Sequence, residues 1–249
     1  MSKKPKITLL MTSCVFVSAP FVKLTNVDER IRLTLLSIDN WLKIHPDLKI
    51  VVCDGSGYDF TDVCRAKFLT ADIECLSFLN NSERVAEYGK GYGEGEIIDY
   101  CLTHSVFIKE SDFFVKCTAK LWVHNFNTLI KEWNSIFLCF LGLEIKLKEK
   151  SVSIAWLDTR FFIINKLFYD RYFRMAYARV RDKEHYYIEH VFKDIVIENK
   201  ISVRNCFVKY YPKVRGFSGT TAQEYKEAVS TKTFIRHKLT NLLLWLFKL

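Results

Sequence analysis

The 249-residue chain lacks the cysteine and histidine spacings that hold zinc or build a disulfide framework. Its eight cysteines include no Cys-x-x-Cys pair, and most lie inside apolar runs, as at residues 51–53 and 137–139. Such cysteines are typical of small buried side chains in a reducing compartment. A His-Glu-x-x-His motif is also missing, so nothing indicates a zinc protease.

Long apolar runs are missing too. No stretch of about 18 or more apolar residues occurs, so no segment is predicted to span a bilayer. The N-terminal apolar run is short and has no small-residue cleavage site, which argues against a signal peptide, and we expect a cytoplasmic protein. No internal repeat is present. With 49% apolar and 15% aromatic residues, the sequence excludes a disordered or collagen-like chain.

Positive charge is concentrated near the C-terminus. The net charge is +9, and residues 200–249, with ten Lys/Arg and two acids, carry +8 of it. The preceding residues are close to neutral. A basic segment of this kind indicates an anionic partner, which could be a phosphate-bearing substrate, a membrane surface or nucleic acid.

Strand and helix patterns alternate over the first 120 residues, which predicts an α/β fold with a parallel sheet covered by helices on both faces. In such sheets ligands bind beyond the carboxyl ends of the strands. We expect one large domain, residues 1–225, and a basic apolar tail, residues 226–249. The predicted strands are 6–17, 48–53, 72–78, 112–121, 135–143, 152–157, 160–164 and 201–209, and the predicted helices are 27–44, 61–69, 97–108, 166–179 and 183–197.

Residues 89–96, Gly-Lys-Gly-Tyr-Gly-Glu-Gly-Glu, contain four of the chain's nine glycines. As a loop that opens the next helix, this segment would let backbone amides approach an anion such as phosphate, with Lys90 as an added cation. The spacing matches neither the P-loop nor the dinucleotide fingerprint, and a plain surface turn is the alternative. The candidate substrate-binding residues here are Lys90, Gly91, Gly93 and Glu94.

Two other loops carry polar groups that suit a nucleotide. The turn Asp54-Gly55-Ser56 follows a predicted strand, and its aspartate could accept hydrogen bonds from a base or ribose. A tight structural turn is the alternative. In segment 211–221, Arg215 offers a bidentate fork for phosphate. The same loop supplies hydroxyl groups from Ser218, Thr220 and Thr221.

Two lysines, Lys116 and Lys120, interrupt the apolar strand 112–121. A buried lysine is costly unless an anion pairs with it. Near the end of the strand, these lysines are predicted to neutralise a diphosphate. A solvated alternating face, with both side chains pointing outward, is the alternative.

Glu189 is the candidate general base. In a helix over residues 182–198, His185 and Glu189 would be i,i+4 neighbours. A carboxylate beside an imidazole can take a proton from a hydroxyl group. His190 and His185 are alternative bases, and a solvated helix with a stabilising His–Glu pair is the structural alternative.

The last residues, 234–249, combine a broad apolar face with basic side chains, including Trp245, Phe247, Arg236 and Lys248. This combination suits an interfacial helix on anionic lipid. A helix docked on the domain or in a homodimer interface is the alternative.

The N-terminal strand, the strand ending in Asp-Gly-Ser and the glycine-led helix before a fourth strand resemble bacterial GT-A-type glycosyltransferases of polysaccharide (O-antigen, lipooligosaccharide or capsule) biosynthesis. The segments GKGYGEGE, FFVKCTAKL, HYYIEHVF and KVRGFSGTT carry the resemblance, which spans residues 6–225. It implies a GT-A-like, Rossmann-type, mostly parallel sheet, a nucleoside-diphosphate-sugar donor and a lipid-linked or saccharide acceptor. By this resemblance Asp54 would contact the nucleoside, and Glu189 would be the base of an inverting displacement.

The sequence departs from this family at the metal site. GT-A enzymes usually place Asp-x-Asp at the end of the fourth strand to hold a divalent metal on the diphosphate, whereas residues 116–120 are Lys-Cys-Thr-Ala-Lys. Either Mg²⁺ or Mn²⁺ is held elsewhere, with Asp158 as a candidate, or cations take its place. Lysine and arginine can stabilise a departing diphosphate electrostatically, as a metal does. We favour the metal-independent alternative.

These observations predict a cytoplasmic glycosyltransferase held on the inner face of the membrane by its tail. A nucleotidyltransferase is an alternative, but the acidic metal ligands that it needs are not found at a suitable strand end. Another alternative is a nucleic-acid-binding domain in which Tyr210, Tyr211 and Phe217 are interleaved with basic residues. No nucleic-acid-binding motif is present, so we expect no such partner.

Overall fold

The computed structural model describes residues 6–17, 22–131, 133, 136–146, 151–202, 210–225, 235, 238–240 and 242–243. Among these residues the strands are, in chain order, β1 Ile7–Ser13, β2 Lys49–Asp54, β3 Ile73–Ser77, β4 Phe113–Thr118, β5 Leu121–Val123, β6 Phe137–Lys146, β7 Ser151–Asn165, β8 Val214–Phe217 and β9 Glu224–Tyr225. The α-helices are α1 Val27–Ile44, α2 Thr61–Lys67, α3 Ser82–Tyr88, α4 Lys90–His104, α5 Val106–Glu110, α6 Phe126–Lys131, α7 Lys166–Tyr172 and α8 Ile188–Glu198.

Six strands form the central sheet in the order β3-β2-β1-β4-β7-β6, and β5, β8 and β9 form a second, antiparallel sheet. Strand β1 pairs in parallel with β2 and β4, and β2 pairs in parallel with β3. Strand β7 is antiparallel to both β4 and β6, so five of the six strands run in one direction. The predicted α/β fold with a mostly parallel central sheet is confirmed.

Successive side chains of the buried strands point to opposite faces of the sheet, and helices cover each face. Leu10 of β1 and Phe114 of β4 lie in one core with Phe192 of α8. Leu9 of β1 lies in the other core with Trp41 of α1. Burying a large apolar side chain contributes about 1.5–3 kcal/mol, so these two layers fix the position of the sheet and of its carboxyl edge.

The glycine-rich segment is the main correction to the predicted fold. We expect a loop at residues 89–96, but helix α4 begins at Lys90, and Gly89 is its N-cap with a φ of 104°. The glycines serve packing: a Cβ on Gly95 would lie 2.0 Å from the Cβ of Tyr177. The missing side chains let neighbouring elements approach the helix backbone closely.

Replacing Gly95 with Ala is therefore expected to destabilise the protein by about 1–3 kcal/mol, because the backbone that carries Tyr177 must move. Gly91→Ala is the matched control on the same helix. Its Cβ would meet Ile188 and Val180 at 3.2 and 3.3 Å, and the gain in helix propensity of about 1 kcal/mol offsets that crowding. Denaturant unfolding of both variants measures the difference. Equal stability of the two variants would contradict the packing role of Gly95.

Several predicted boundaries differ from the structure. Helix α1 begins and ends at the predicted residues. The predicted helix 97–108 is the second part of α4 followed by the short helix α5, and the predicted strand 112–121 is divided between β4 and β5. The pieces 152–157 and 160–164 are one continuous strand, β7, and the predicted helix 166–179 is α7 followed by a 3₁₀ turn.

The predicted helix 183–197 begins only at Ile188. The residues before it form a 3₁₀ turn that ends at His185 in the left-handed region, with a φ of 59°. A residue in that conformation cannot continue a right-handed helix, so His185 and Glu189 are not i,i+4 neighbours on one helix face.

Strands β6 and β7 continue past the carboxyl edge of the sheet as a two-stranded ribbon. Cys117, near the end of β4, pairs with Phe161 of β7, and the earlier residues of β7 pair only with β6. Two register shifts interrupt this pairing, between Cys139 and Leu141 and between Gly142 and Leu143. Such irregularities bend a ribbon, so β7 can form a wall above the edge of the sheet.

The predicted strand 201–209 and most of the tail, 226–249, lie outside the described residues. Ile201 and Ser202 are described and are not in a strand, whereas Ile235, 238–240 and 242–243 are helical. In the described part of the chain, no helix combines the length and apolar character that crossing a membrane requires.

Candidate active site

A cavity of about 810 Å³ opens at the carboxyl edge of the sheet. Its walls come from the ends of β1 and β2, the first turns of α4, the ribbon strand β7, the start of α8 and the β8–β9 loop. The structure brings most of the sequence-predicted site residues into this one cavity. Those that line it are Gly55, Ser56, Lys90, Gly91, Gly93, Glu94, Lys120, Glu189, His190, Ser218 and Thr220.

Asp54 does not line the cavity. Its carboxylate is buried and accepts hydrogen bonds from the amides of Val15 and Ser56, at 2.9 and 2.8 Å, and from the Ser56 hydroxyl. These bonds fix the β1 and β2 ends relative to each other. Asp54 therefore shapes the edge, and the neighbouring residues that do line the cavity include Ser56 and Phe16.

Lys116 also lies outside the cavity, below its floor. Its fully buried Nζ donates to Glu94 Oε1 at 2.5 Å, to Thr118 Oγ1 at 3.0 Å and to the Thr159 carbonyl at 2.7 Å. Burial alone would raise the pKa of Glu94, but the charge of Lys116 and hydrogen bonds from Lys116, Thr12 and Thr118 outweigh it and hold that pKa below its ordinary value. Lys116 thus keeps Glu94 ionised. The predicted contact between Lys116 and a diphosphate is not possible in this position.

Arg215, the third cation expected at the diphosphate, lies in β8 opposite Trp122 of β5 and does not line the cavity. A different arginine does. Arg30 of α1 is buried, and its Nε and Nη1 donate to the carbonyls of Cys14 and Leu24 at 2.7 and 2.6 Å. The buried residues of α1 repeat at helical spacing, and this spacing in the sequence could have found Arg30. These residues are Arg30, Leu33, Thr34, Ser37, Ile38 and Trp41.

Lys120 follows β4 in a left-handed conformation, with a φ of 75°. Its side chain is 97% buried, yet among the described residues its Nζ has no hydrogen bond and no ion pair. Burial, and then the nearby charge of Arg30, lower the pKa of Lys120 to about 7. The cavity therefore contains a buried amine that lacks an anionic partner.

Glu189 stands in the first turn of α8, where its Oε1 accepts a hydrogen bond from Thr159 Oγ1 at 3.1 Å. Burial raises the pKa of Glu189, and the negative charges of Glu94 and Asp158 raise it further. A carboxylate with a raised pKa is a stronger base once ionised, which suits proton transfer near neutral pH.

His190 lines the cavity next to Glu189 but is poorly placed to act as a base. Its Nδ1 accepts a hydrogen bond from the Tyr187 amide at 3.2 Å. In the neutral ring the proton then belongs on Nε2, so neither ring nitrogen has a free lone pair with which to take a proton. His185, the other alternative base, is exposed and does not line the cavity.

The N-terminus of α4 already faces an anion from the chain itself. A Cβ on Gly89 would come within 2.2 Å of Asp182 Oδ2, so the carboxylate lies directly against this helix end. Burial raises the pKa of Asp182, and the amides of Gly91 and Lys90 oppose that shift. The predicted phosphate position at the helix amides is thus taken by Asp182, while Lys90 reaches across to donate to Thr220 Oγ1 at 3.1 Å.

The groups at the end of β4 do not fit Mg²⁺ or Mn²⁺. Both ions prefer oxygen ligands, and this position presents Thr118 and the ammonium of Lys120. Asp158 is engaged by Arg160, whose Nη2 donates to Oδ2 at 2.5 Å and whose Nε donates to Oδ1 at 2.9 Å. Over the described residues, no group of three His, Cys, Asp or Glu could hold a metal ion.

No protein-family model and no curated protein sequence matches this chain. Solved structures do resemble it. The mannosyltransferase Ktr4p of S. cerevisiae has a TM-score of 0.48 at 10% identity, covering 77% of this chain and 65% of that one. A protein assigned as a nucleotide-diphospho-sugar transferase from Desulfovibrio desulfuricans G20 has a TM-score of 0.44 at 10% identity, covering 82% and 78%.

A third similar structure is S. aureus TarS (residues 1–349) in complex with UDP, with a TM-score of 0.35 at 12% identity. It covers 53% of this chain and 34% of that one. The chain therefore spans 65% of the length of the yeast structure and about a third of the TarS fragment. These similarities concern the fold, and the chemistry is argued from the residues of the cavity.

Proposed function

We propose that this chain is a glycosyltransferase that moves a sugar from a nucleoside-diphosphate-sugar donor to an acceptor hydroxyl. The observation that carries the proposal is the composition of the cavity at the carboxyl edge. Arg30, Lys90 and Lys120, which come from three separate segments, line it together with Arg160, which is paired with Asp158, and so does Glu189. Among the described residues no ion pair joins Glu189 to any of these cations.

The two kinds of group match the two charge changes of sugar transfer. The acceptor hydroxyl must lose a proton, and Glu189 takes it as general base. The acceptor oxygen then attacks the anomeric carbon, and the bond from that carbon to the diphosphate breaks with its electron pair going to the diphosphate. Cations fixed beside the leaving oxygen stabilise the charge that develops there. Lys90 and Lys120, with hydroxyl groups of Ser218 and Thr220, are proposed for this side of the reaction.

The finer assignment extends the proposal to bacterial surface polysaccharide synthesis, with a lipid-linked or oligosaccharide acceptor. Its support is the charge of residues 200–249, which carry +8. The apolar residues Ile235, Leu239 and Leu242 of the tail are exposed as well. Basic and apolar groups together favour contact with an anionic membrane surface, where a lipid-linked acceptor resides.

A thermal-shift screen against nucleoside-diphosphate sugars, bare nucleoside diphosphates, nucleoside triphosphates and oligonucleotides tests the proposal. A sugar nucleotide present at about 100 times its Kd should stabilise the protein by about 2.7 kcal/mol. Release of nucleoside diphosphate is then followed with acceptor extracts, with and without EDTA. We expect turnover that survives EDTA. Binding of triphosphates or oligonucleotides alone would contradict the transferase, and activity that is lost with EDTA and restored by Mn²⁺ would contradict metal independence.

A further inference from the structure

We propose that Arg30 and Lys120 form a metal-free site for the diphosphate of the donor, and that Lys120 takes up a proton when the diphosphate binds. The identity of the anion rests on the proposed function, whereas the site itself is argued from the geometry. It differs from the cation set expected from the sequence, because Arg30 replaces Lys116 and Arg215.

The two cations lie side by side beneath the β8–β9 loop. A Cβ on Gly219 would lie 3.6 Å from both Arg30 Nη1 and Lys120 Cε, so the loop backbone passes over the pair. All three residues line the cavity. Two like charges held this close repel each other, which is costly in a buried place unless a ligand supplies negative charge.

Arg30 is held by the protein, while Lys120 is not. Two nitrogens of Arg30 are fixed by the carbonyls of Cys14 and Leu24, and carbonyls leave its full positive charge uncompensated. Lys120 is 97% buried, and its Nζ has no hydrogen bond to any described residue, although its backbone carbonyl accepts one from the Phe217 amide at 3.0 Å. A buried, unpartnered amine beside a fixed guanidinium, both lining a cavity, is the arrangement expected of an anion site.

Charged and titratable groups from the neighbouring elements also affect the protonation of Lys120. Arg30 of α1 opposes protonation of Lys120, whereas Cys14 after β1, Asp54 of β2 and Glu94 of α4 favour it. Asp54 and Glu94 are engaged in hydrogen bonds with Val15, Ser56 and Lys116 and make no ion pair with Lys120. The pKa of about 7 therefore leaves much of Lys120 neutral above pH 7, ready to be charged by an incoming anion.

A diphosphate fits this pair better than a single carboxylate does. Its charge is spread over two phosphoryl groups, which can face two adjacent cations at once. Lys90 stands on the other side of the same loop, where it donates to Thr220 Oγ1. The amides of Gly219 and Thr220 donate to no acceptor within the described chain, so they are available as further hydrogen-bond donors.

Calorimetry with inorganic pyrophosphate tests the site. Titration at pH 8 in two buffers of different ionisation enthalpy gives the number of protons taken up on binding. At saturating pyrophosphate the wild-type protein should take up more protons, by up to about one, than Lys120→Met. Lys120→Met should also bind at least ~10-fold more weakly. Lys49→Met, a lysine at the opposite end of the sheet, is the matched control and should behave as wild type.

A stability measurement shows that a loss of binding is not a loss of fold. The folded pKa of Lys120 lies below that of the unfolded chain, so Lys120 contributes a stability that rises with pH between about 7 and 10, and over this range wild type should gain stability relative to Lys120→Met. Lys120→Met should lack this rise and have a higher Tm than wild type at pH 7. Unchanged pyrophosphate affinity, or equal proton uptake in both proteins, would overturn the site. Pyrophosphate binding without any sugar transfer would instead overturn the proposed function and leave the site intact.

Discussion

Replacing Glu189 with Gln is expected to lower the rate of sugar transfer by about 10²- to 10⁴-fold, the range that a positioned general base contributes. Glutamine has nearly the same shape and can still accept the Thr159 hydroxyl at 3.1 Å, but it cannot take a proton. Donor affinity should change little, because Glu189 is proposed to contact the acceptor. The measurement is kcat at saturating donor together with the donor Kd.

The pH profile separates a base from a structural role. Glu189 must be ionised to act, and its pKa lies above the ordinary value because it is buried near Glu94 and Asp158. Wild-type activity should therefore rise with pH through that raised pKa, and the residual activity of the glutamine variant should not. Glu184→Gln, an exposed carboxylate outside the cavity, is the control and should keep wild-type kinetics. Near-normal turnover in Glu189→Gln would contradict the assignment of Glu189 as the general base.

Replacing Glu94 with Gln is expected to destabilise the protein by about 3 kcal/mol. Removing one partner of a buried ion pair typically costs about 3–5 kcal/mol, because the other charge is left uncompensated. Lys116 has a side-chain exposure of 0%, so its ammonium cannot turn to water. The lower end of the range applies, since the Glu94 side chain is 23% exposed. Denaturant unfolding at pH 7 measures the effect.

A second substitution tests whether the loss of stability comes from the unpaired charge of Lys116. In the double variant Glu94→Gln/Lys116→Met no buried charge remains, and most of the stability should return. The dependence of stability on pH below about 4.3 gives an independent check of the ion pair. The folded pKa of Glu94 lies below its unfolded value, so its stabilisation is present above about pH 4.3 and is lost as pH falls through the folded pKa. The gap between wild type and Glu94→Gln should narrow there. A double variant no more stable than Glu94→Gln would contradict the ion-pair explanation.

Local signals in the sequence predict part of the fold well. The bounds of α1 are correct because Asn26 caps the helix by accepting the Glu29 amide at 2.8 Å, Asp28 and Glu29 occupy the first turn, and Pro46 follows the end. The glycines of α4 mislead, because glycine marks both turns and close helix packing. Only the position of Tyr177, some 80 residues later in the chain, decides between these two uses.

The residues of the site also divide into those that the sequence predicts and those that depend on distant contacts. Polar groups placed directly after β2 are recognisable from the sequence, because strand ends of an α/β sheet share one edge. Those of the β8–β9 loop are recognisable by their hydroxyl groups and glycines. The positions of the Lys116 and Lys120 side chains are not recognisable from the sequence. Lys116 is buried because Glu94 and Thr159 reach it from α4 and β7, whereas Lys120 lies past the end of β4 and faces the cavity. Such contacts between distant segments carry no local pattern.

The cavity has one wall formed by the β6–β7 ribbon and another formed by the main body of the domain, and the two differ in stability. Trp156 of this ribbon lines the cavity and lies against Gly142, where a Cβ would come within 2.4 Å of its Nε1. A two-stranded ribbon is marginally stable by itself, whereas Arg30 belongs to helix α1 and Lys120 to the turn after β4 of the central sheet. Substitutions in the ribbon are therefore expected to change the shape of the cavity on the Trp156 side without disturbing Arg30 and Lys120, which are proposed to bind the leaving group.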